Sequence, residues 1–399
     1  MAVNATTAGL TPFGIYLEPM TVEFGWTRTE FSFGLAVMAI TSIVLLPFVG
    51  WWIDREGARK AILAGSVALP AVMALFGFLS GSYLEYLALT LLLGLATSLS
   101  GASVVMTIPP QWFDRRLGLS LAIVSMGLGL GTAVMPVLAG YFVHNFGWRS
   151  SWFLMSVIVA VITIPNTLLF IRDNPDFRAA RKEKGETQLL SGATFKQALS
   201  SPRFWFLAIP YGFISIIYTG LMAHFVPMAI DRGFTAVEAS VALSAVGLSS
   251  IGSRLVTGML LDRVHYLYVG VALLLLLSAG LLVLLSGQLP AGFALYAAAI
   301  LVGVAVGGES DLLPFVLRRR FGMKAYARLY GIAFAFSRGG PIVGPILLGA
   351  AFDRFGSYRI PLIAFLFMSV LAMILFVLSV RGKAETWGQK VPAGSSEAD

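Results

Sequence analysis

Along this chain apolar residues gather in blocks of about twenty, and polar residues are confined to short gaps between them. The blocks occupy residues 31–53, 61–80, 84–108, 117–142, 150–171, 204–229, 239–261, 267–286, 291–314, 327–351 and 358–380. Each is long enough for a helix, rising about 1.5 Å per residue, to cross a hydrocarbon layer about 30 Å thick. Without water to satisfy its backbone, a spanning segment must close its own hydrogen bonds, so each block predicts a helix. Residues 2–22 form one more block at the start. Pro12 and Gly14 interrupt it and no basic residue precedes it, which favours a first transmembrane helix over a signal peptide.

The longest polar interruption, residues 172–203, carries seven Lys or Arg and includes Pro175, Gly185 and Gly192. It predicts a solvated linker with one short interfacial helix around residues 194–199. The chain then divides into a bundle over 1–171, the linker 172–203, a second bundle over 204–380 and a disordered tail over 381–399. A displacement of 208 residues sets Pro19 on Pro227, Met20 on Met228, Gly25 on Gly233, Thr27 on Thr235, Glu30 on Glu238, Gly50 on Gly258, Asp54 on Asp262 and Arg55 on Arg263. A displacement of 209 sets Gly131 on Gly340, Pro136 on Pro345, Gly140 on Gly349 and Gly147 on Gly356. Two halves of the same topology follow, and the expected fold is an all-α membrane protein with twelve transmembrane helices in two six-helix pseudo-symmetric bundles.

Composition adds weight to this picture. With 57% hydrophobic and only 12% charged residues, and a mean hydropathy of +0.84, the chain falls outside the range of soluble globular domains. The net charge of +8 acquires meaning from its placement. With both termini cytoplasmic, 21 of the 28 Lys and Arg lie in cytoplasmic segments, 5 in the opposite loops and 2 within spans. That asymmetry fixes a multi-pass topology in a cell (inner) membrane and removes nucleic acid as a partner. No cysteine and three scattered histidines leave no disulfide, no metal site and no cofactor chemistry. No nucleophile triad is visible either, so an enzyme is not expected.

The gap after the second block reads Gly50, Asp54, Arg55, Gly57, Arg59, Lys60. This charge density between two spans requires a tight hairpin in water. Glycines permit close helix approach and a sharp turn, and Asp54 is placed to cap or pair with a neighbouring helix end. The spacing GxxxDxxGxRK resembles the signature of the major facilitator superfamily between its second and third helices. Gly258, Asp262 and Arg263 repeat it in degenerate form, and the two loops are expected to latch the cytoplasmic side in an outward-open state.

Costly residues present in one half only point to function. Arg254, Arg338, Glu309 and Asp311 replace Leu46, Gly129, Gly101 and Ser103 of the first half. Arg254 lies eight residues before Asp262, roughly 12 Å inside the membrane. It shares a small polar stripe with Ser250 and Gly258, and its planar fork suits a carboxylate better than a lysine would. Arg338 sits beside Gly339 and Gly340, as a second ligand or a charge balancer. Glu309 and Asp311 point to opposite sides of their helix, so one is expected to carry a proton and the other to tie helices together. Tyr16 and His224 occupy equivalent positions ahead of Pro19 and Pro227, which suggests that both line one pathway; Tyr218 is a weaker candidate.

Glu23 to Arg28, His224 to Pro227, Gly308 to Leu313 and Tyr326 to Pro345 are similar to the monocarboxylate transporter and oxalate/formate antiporter branch of that superfamily. The resemblance implies that Arg254 binds a substrate carboxylate and that Arg338 stands where some members have a second basic residue. Ser250 replaces the aspartate that vertebrate members place four residues before the helix-8 arginine, and the first span has no lysine. The expected function is secondary active transport of a small mono- or dicarboxylate, coupled to a proton or a counter-anion, by alternating access. The expected protein is a monomer in the lipid bilayer. Export of drugs is the alternative within the superfamily, and a non-transporting membrane sensor is the alternative outside it.

Overall fold

The computed structural model describes residues 13–175, 192–286 and 291–381. The start of the first predicted span, most of the linker and the tail from residue 382 lie outside the described residues. Ten helices among those described are long and apolar enough to cross a membrane. The elements are α1 (Phe13–Phe24), α2 (Arg28–Glu56), α3 (Ala58–Phe76), α4 (Tyr83–Ser100) and α5 (Leu117–Phe170). The short linker helix α6 (Phe195–Ser200) follows, then α7 (Pro202–Ile230), α8 (Ala236–Leu261), α9 (Tyr266–Leu285) and α10 (Ala291–Phe321). α11 (Tyr326–Arg338), α12 (Gly340–Phe355) and α13 (Arg359–Val380) complete the chain.

The matched positions of the repeat do the same physical work twice. Thr27 and Glu30 form a capping box on α2, and Thr235 and Glu238 form its counterpart on α8. Gly25 and Gly233 both take positive φ, at 69° and 89°, before those caps. Two predicted blocks run together as α5, which reverses at Gly147 with φ 78°; its partner Gly356 caps α12 at φ 62°. The linker helix also forms, on a Thr194–Gln197 capping box.

Three prolines free a carbonyl inside a span. Pro70, Pro314 and Pro341 lack the N–H that would bond the carbonyl four residues earlier. Each freed carbonyl lies by a hydroxyl from another helix: Ser66 O by Thr163 (3.4 Å), Ser310 O by Tyr211 (3.4 Å) and Ser337 O by Ser215 (2.6 Å). α10 continues through Pro314 to Phe321, beyond the predicted end at 314, and finishes on Arg318, Arg319 and Arg320, whose charge suits a helix C-terminus. The span predicted over 327–351 runs on from Tyr326 to Phe355, with a single turn residue, Gly339, between α11 and α12.

Within each half the helices interlock through small residues. Gly220 and Gly344 let α7 and α12 approach closely, and Gly65 does the same between α3 and α4. Between the halves, α2 meets α11 and α5 meets α8, both near the ends that carry the basic loops.

Candidate functional site

Arg254 projects from α8 toward α5 of the other half. Its Nη1 donates to the Ser125 carbonyl at 3.2 Å, while its Nε is buried without a hydrogen-bond partner. Among the described residues no carboxylate oxygen lies within 4 Å of it. A half-buried guanidinium held by one carbonyl is under-satisfied, because five N–H donors need acceptors and water is scarce at this depth.

Asp311 is fully buried and faces the same serine. Its Oδ1 hydrogen-bonds the Ser125 hydroxyl, and its Oδ2 has no partner. Glu309 points the other way, as two residues on a helix are turned about 200° apart. It lines a cavity of about 20 Å³ inside the second half with Tyr211, Leu273, Leu277 and Phe376, and its Oε1 is buried without a partner. That space holds about one water molecule.

Arg338 ends α11, just before the turn at Gly339. Its guanidinium lies 5.0 Å over the Phe334 ring, and the residue is exposed. Phe336, two residues earlier, is turned to Trp205 of α7, so Arg338 faces the opposite side. It too has no carboxylate within 4 Å among the described residues, so neither arginine forms the ion pair with Glu309 or Asp311 that charge balance alone would suggest. Tyr330, one turn before Phe334, lies within electrostatic reach of Arg338, Asp311 and Glu309, and Tyr218 within that of Arg254.

Tyr16 and His224, expected to line one pathway, each have their polar partners within their own half. Tyr16 is fully buried, stacked on Trp152 at 4.4 Å, with its hydroxyl bonded to Ser151 at 2.9 Å. The flat ring finds an aromatic partner inside its own half, which outweighs the pull of its polar tip toward water. His224 sits between the Pro345 carbonyl and the Tyr358 hydroxyl, each at 3.2 Å. A carbonyl only accepts, so Nε2 donates to Pro345, and with Tyr358 at Nδ1 both ring nitrogens have a partner within the second half.

At the basic end, two carboxylates reach across the halves. Asp54 accepts from the Ala327 and Arg328 amides at 3.1 and 3.0 Å and pairs with the Arg328 side chain at 3.0 Å. Asp262 accepts from the Gly118 and Leu119 amides at 2.7 and 3.0 Å. Each thus caps the first turn of a helix in the opposite half, where orphan N–H groups and the helix dipole favour negative charge. Gly50 and Gly258 make room: an added Cβ would come within 2.5 Å of the Ala327 carbonyl oxygen and within 2.6 Å of the Gly118 carbonyl oxygen.

The remaining loop residues stay on their own side. Gly57, at φ 96°, presses on Asp173, which accepts from the Ala58 and Arg59 amides. Arg59 donates to the Leu168 carbonyl, Lys60 and Arg55 contact Glu56, and Arg263 is exposed. The cross-half clasp draws instead on residues that sequence reasoning passed over. Arg318 donates to the Phe113 carbonyl and Arg319 to that of Asp114 at 3.0 Å, and both arginines lie within ion-pairing distance of the Asp114 carboxylate. The triple arginine run was the available signal. Ser125 carried none, since a serine in an apolar helix is unremarkable on its own.

The other end is held differently. Glu23 accepts from Trp148 Nε1 at 2.6 Å and pairs with Arg149, within one half. The Arg149 bond first, and that of Trp148 second, hold its carboxyl below the usual range.

Comparison with known proteins fits this geometry. The family model described as Major Facilitator Superfamily matches residues 1–310. The chain is 25% identical to monocarboxylate transporter 11 of Homo sapiens, over 90% of this chain and 76% of that protein. It is 26% identical to multidrug resistance protein MdtG of Dickeya zeae, over 83% of this chain and 79% of that one. Among solved structures it is similar to the E. coli protein FucP in an outward conformation, with a TM-score of 0.75 at 14% identity over 95% of this chain and 97% of that one.

Proposed function

The chain belongs to the major facilitator superfamily, a family of membrane transporters and not of enzymes, and on that premise we propose that it moves a small organic anion, a mono- or dicarboxylate, by secondary active transport. Arg254 is the principal anion ligand and Arg338 the second ligand. Glu309 or Asp311 carries the coupling proton, or a counter-anion takes the proton's place. The protein works as a monomer in a cell inner membrane with both termini cytoplasmic, and the clasp made by Asp54 and Asp262 closes the cytoplasmic side in the outward-open state.

One observation carries this reading: two guanidinium groups stand at membrane depth with no carboxylate within ion-pairing distance among the described residues. An uncompensated charge there is costly, and a visiting carboxylate supplies the missing acceptors in bidentate form. The similarity to a monocarboxylate transporter agrees with it, and the asymmetry of Lys and Arg between the two ends supports the orientation.

A thermal-shift screen of the purified protein against acetate, lactate, pyruvate, oxalate and succinate tests the site. At least one of these is expected to raise the Tm of the parent and to lose that effect in Arg254→Ala. An equal shift in parent and variant would remove Arg254 from the site. Drug export is the second reading, and the likeness to MdtG favours it. Efflux of a lipophilic cationic dye, with no carboxylate bound, would establish it in place of the first.

A further inference from the structure

Three polar groups meet where the halves touch, and their hydrogen-bond count does not close. Ser125 on α5 takes the Arg254 guanidinium on its carbonyl and the Asp311 carboxyl on its hydroxyl. Beyond it, the Arg254 Nε and the Asp311 Oδ2 are both buried without a partner. A cationic donor and an acidic acceptor thus stand on either side of one residue, each lacking what the other offers. They belong to neighbouring helices of the same half, α8 and α10, whereas the residue that separates them belongs to the other half.

We propose that Ser125 is a positioning residue that keeps Arg254 from pairing with Asp311 in the closed-clasp conformation, and that Asp311 is the internal competitor that displaces the transported anion when α5 withdraws. This rests on the reading of Arg254 as the anion ligand. While Ser125 engages both groups, the guanidinium keeps donors free for an incoming carboxylate. When the halves separate at the basic end, α5 moves away and both groups lose their partner together. Asp311 then satisfies Arg254 from within the protein, and the anion leaves a site it would otherwise quit slowly.

The proton follows from the same hydroxyl. Ser125 Oγ lies near the Leu121 carbonyl, at 3.0 Å, as well as near Asp311, but it has one hydrogen to give. In the proposal Asp311 is protonated in the loaded state and donates to Oγ, which leaves Oγ–H for the Leu121 carbonyl. A neutral Asp311 cannot compete for Arg254, so the loaded state carries one anion and one proton. On release Asp311 gives its proton to water on the basic side and pairs with Arg254 as the anion departs. The charged and titratable groups within electrostatic reach of Asp311 are Arg254 from α8, Glu309 from α10, Tyr211 from α7 and Tyr330 from α11.

The test measures the dissociation constant of whichever carboxylate in the panel above binds the parent, using detergent-purified full-length protein. Ser125→Ala removes the hydroxyl and frees Asp311 to take Arg254, so affinity is expected to fall roughly 5- to 150-fold, the usual span of a coupling between sites. Asp311→Asn binds as tightly as the parent or more tightly, and in proteoliposomes it exchanges labelled for unlabelled anion but no longer accumulates it down a proton gradient. The double variant Ser125→Ala/Asp311→Asn regains parental affinity, a rescue that a merely structural serine would not produce. If Ser125→Ala does not fold, Ser125→Cys takes its place and the Asp311→Asn results stand by themselves. Undiminished affinity in Ser125→Ala, no rescue in the double variant, or proton-driven accumulation by Asp311→Asn would overturn the proposal while leaving Arg254 as ligand. A parent that binds none of the panel would overturn the anion reading itself, and the proposal with it.

Discussion

The chemistry of this protein turns on single side chains whose partners lie on the far side of a helix boundary. Asp54 shows the pattern: its two oxygens serve two backbone amides and one guanidinium of the opposite half. Glu23 is the comparable residue at the other end, with Arg149 and Trp148 as partners. Because its folded pKa is depressed, the stabilisation it provides is complete above its usual value of 4.5 and fades as pH falls through the lower folded value. Glu23→Gln is therefore expected to melt below the parent at pH 7, with the gap closing in acid. A gap that is unchanged at pH 3.5, about a unit below the usual value, would show that shape and not charge is what Glu23 supplies. Residue-scale reading of the sequence succeeded for Asp54, whose capping role follows from its place between two helices. It did not reach the surroundings of Tyr16, because sequence symmetry pairs it with His224 while the Trp152 ring stacked on it lies far along the chain.

Among the elements, the spans were legible almost throughout, since their length and hydropathy are set by the bilayer and not by neighbours. Their ends were less so. The block over 291–314 ends at Pro314, yet α10 passes through it, and the carbonyl that this proline frees lies beside a tyrosine hydroxyl from α7. Pro341 reads as part of a continuous span, and the span from Tyr326 to Phe355 does continue, with only the Gly339 turn between α11 and α12. At Pro314 the nearby hydroxyl belongs to another helix, which local pattern cannot reveal. Pro341 yields a direct prediction. Ser215→Ala strands the Ser337 carbonyl and is expected to cost about 1–3 kcal/mol, while Ser215→Ala/Pro341→Ala restores an N–H donor and recovers most of the loss. Thermal unfolding in detergent checks both, and equal melting of the single and double variants would contradict it.

For the whole molecule, the repeat in the sequence is the repeat in the structure: the matched Thr–Glu pairs are caps and the matched glycines are turns. What differs between the halves is where charge enters the membrane. The contacts of Asp54 and Asp262, with Gly50 and Gly258 beneath them, close one end. Gly50→Ala and Asp54→Asn are expected to loosen that closure. The chain has no cysteine, so a single Ala122→Cys, where the Ala122 side chain meets Gly258, reports it cleanly. Maleimide labelling is predicted to quicken several-fold in either background, in line with a coupling of about 1–3 kcal/mol; an unchanged rate would mean the clasp is not what holds the halves.

The claim on which the account stands is that an unpaired guanidinium at position 254 awaits an anion. Uptake of a radiolabelled carboxylate into proteoliposomes, compared between the parent, Arg254→Ala and Arg254→Lys at equal protein incorporation, tests it most directly. The account predicts uptake by the parent, background counts for Arg254→Ala and a severe loss for Arg254→Lys, whose point charge cannot reproduce the bidentate fork. Parental uptake by Arg254→Ala would contradict it.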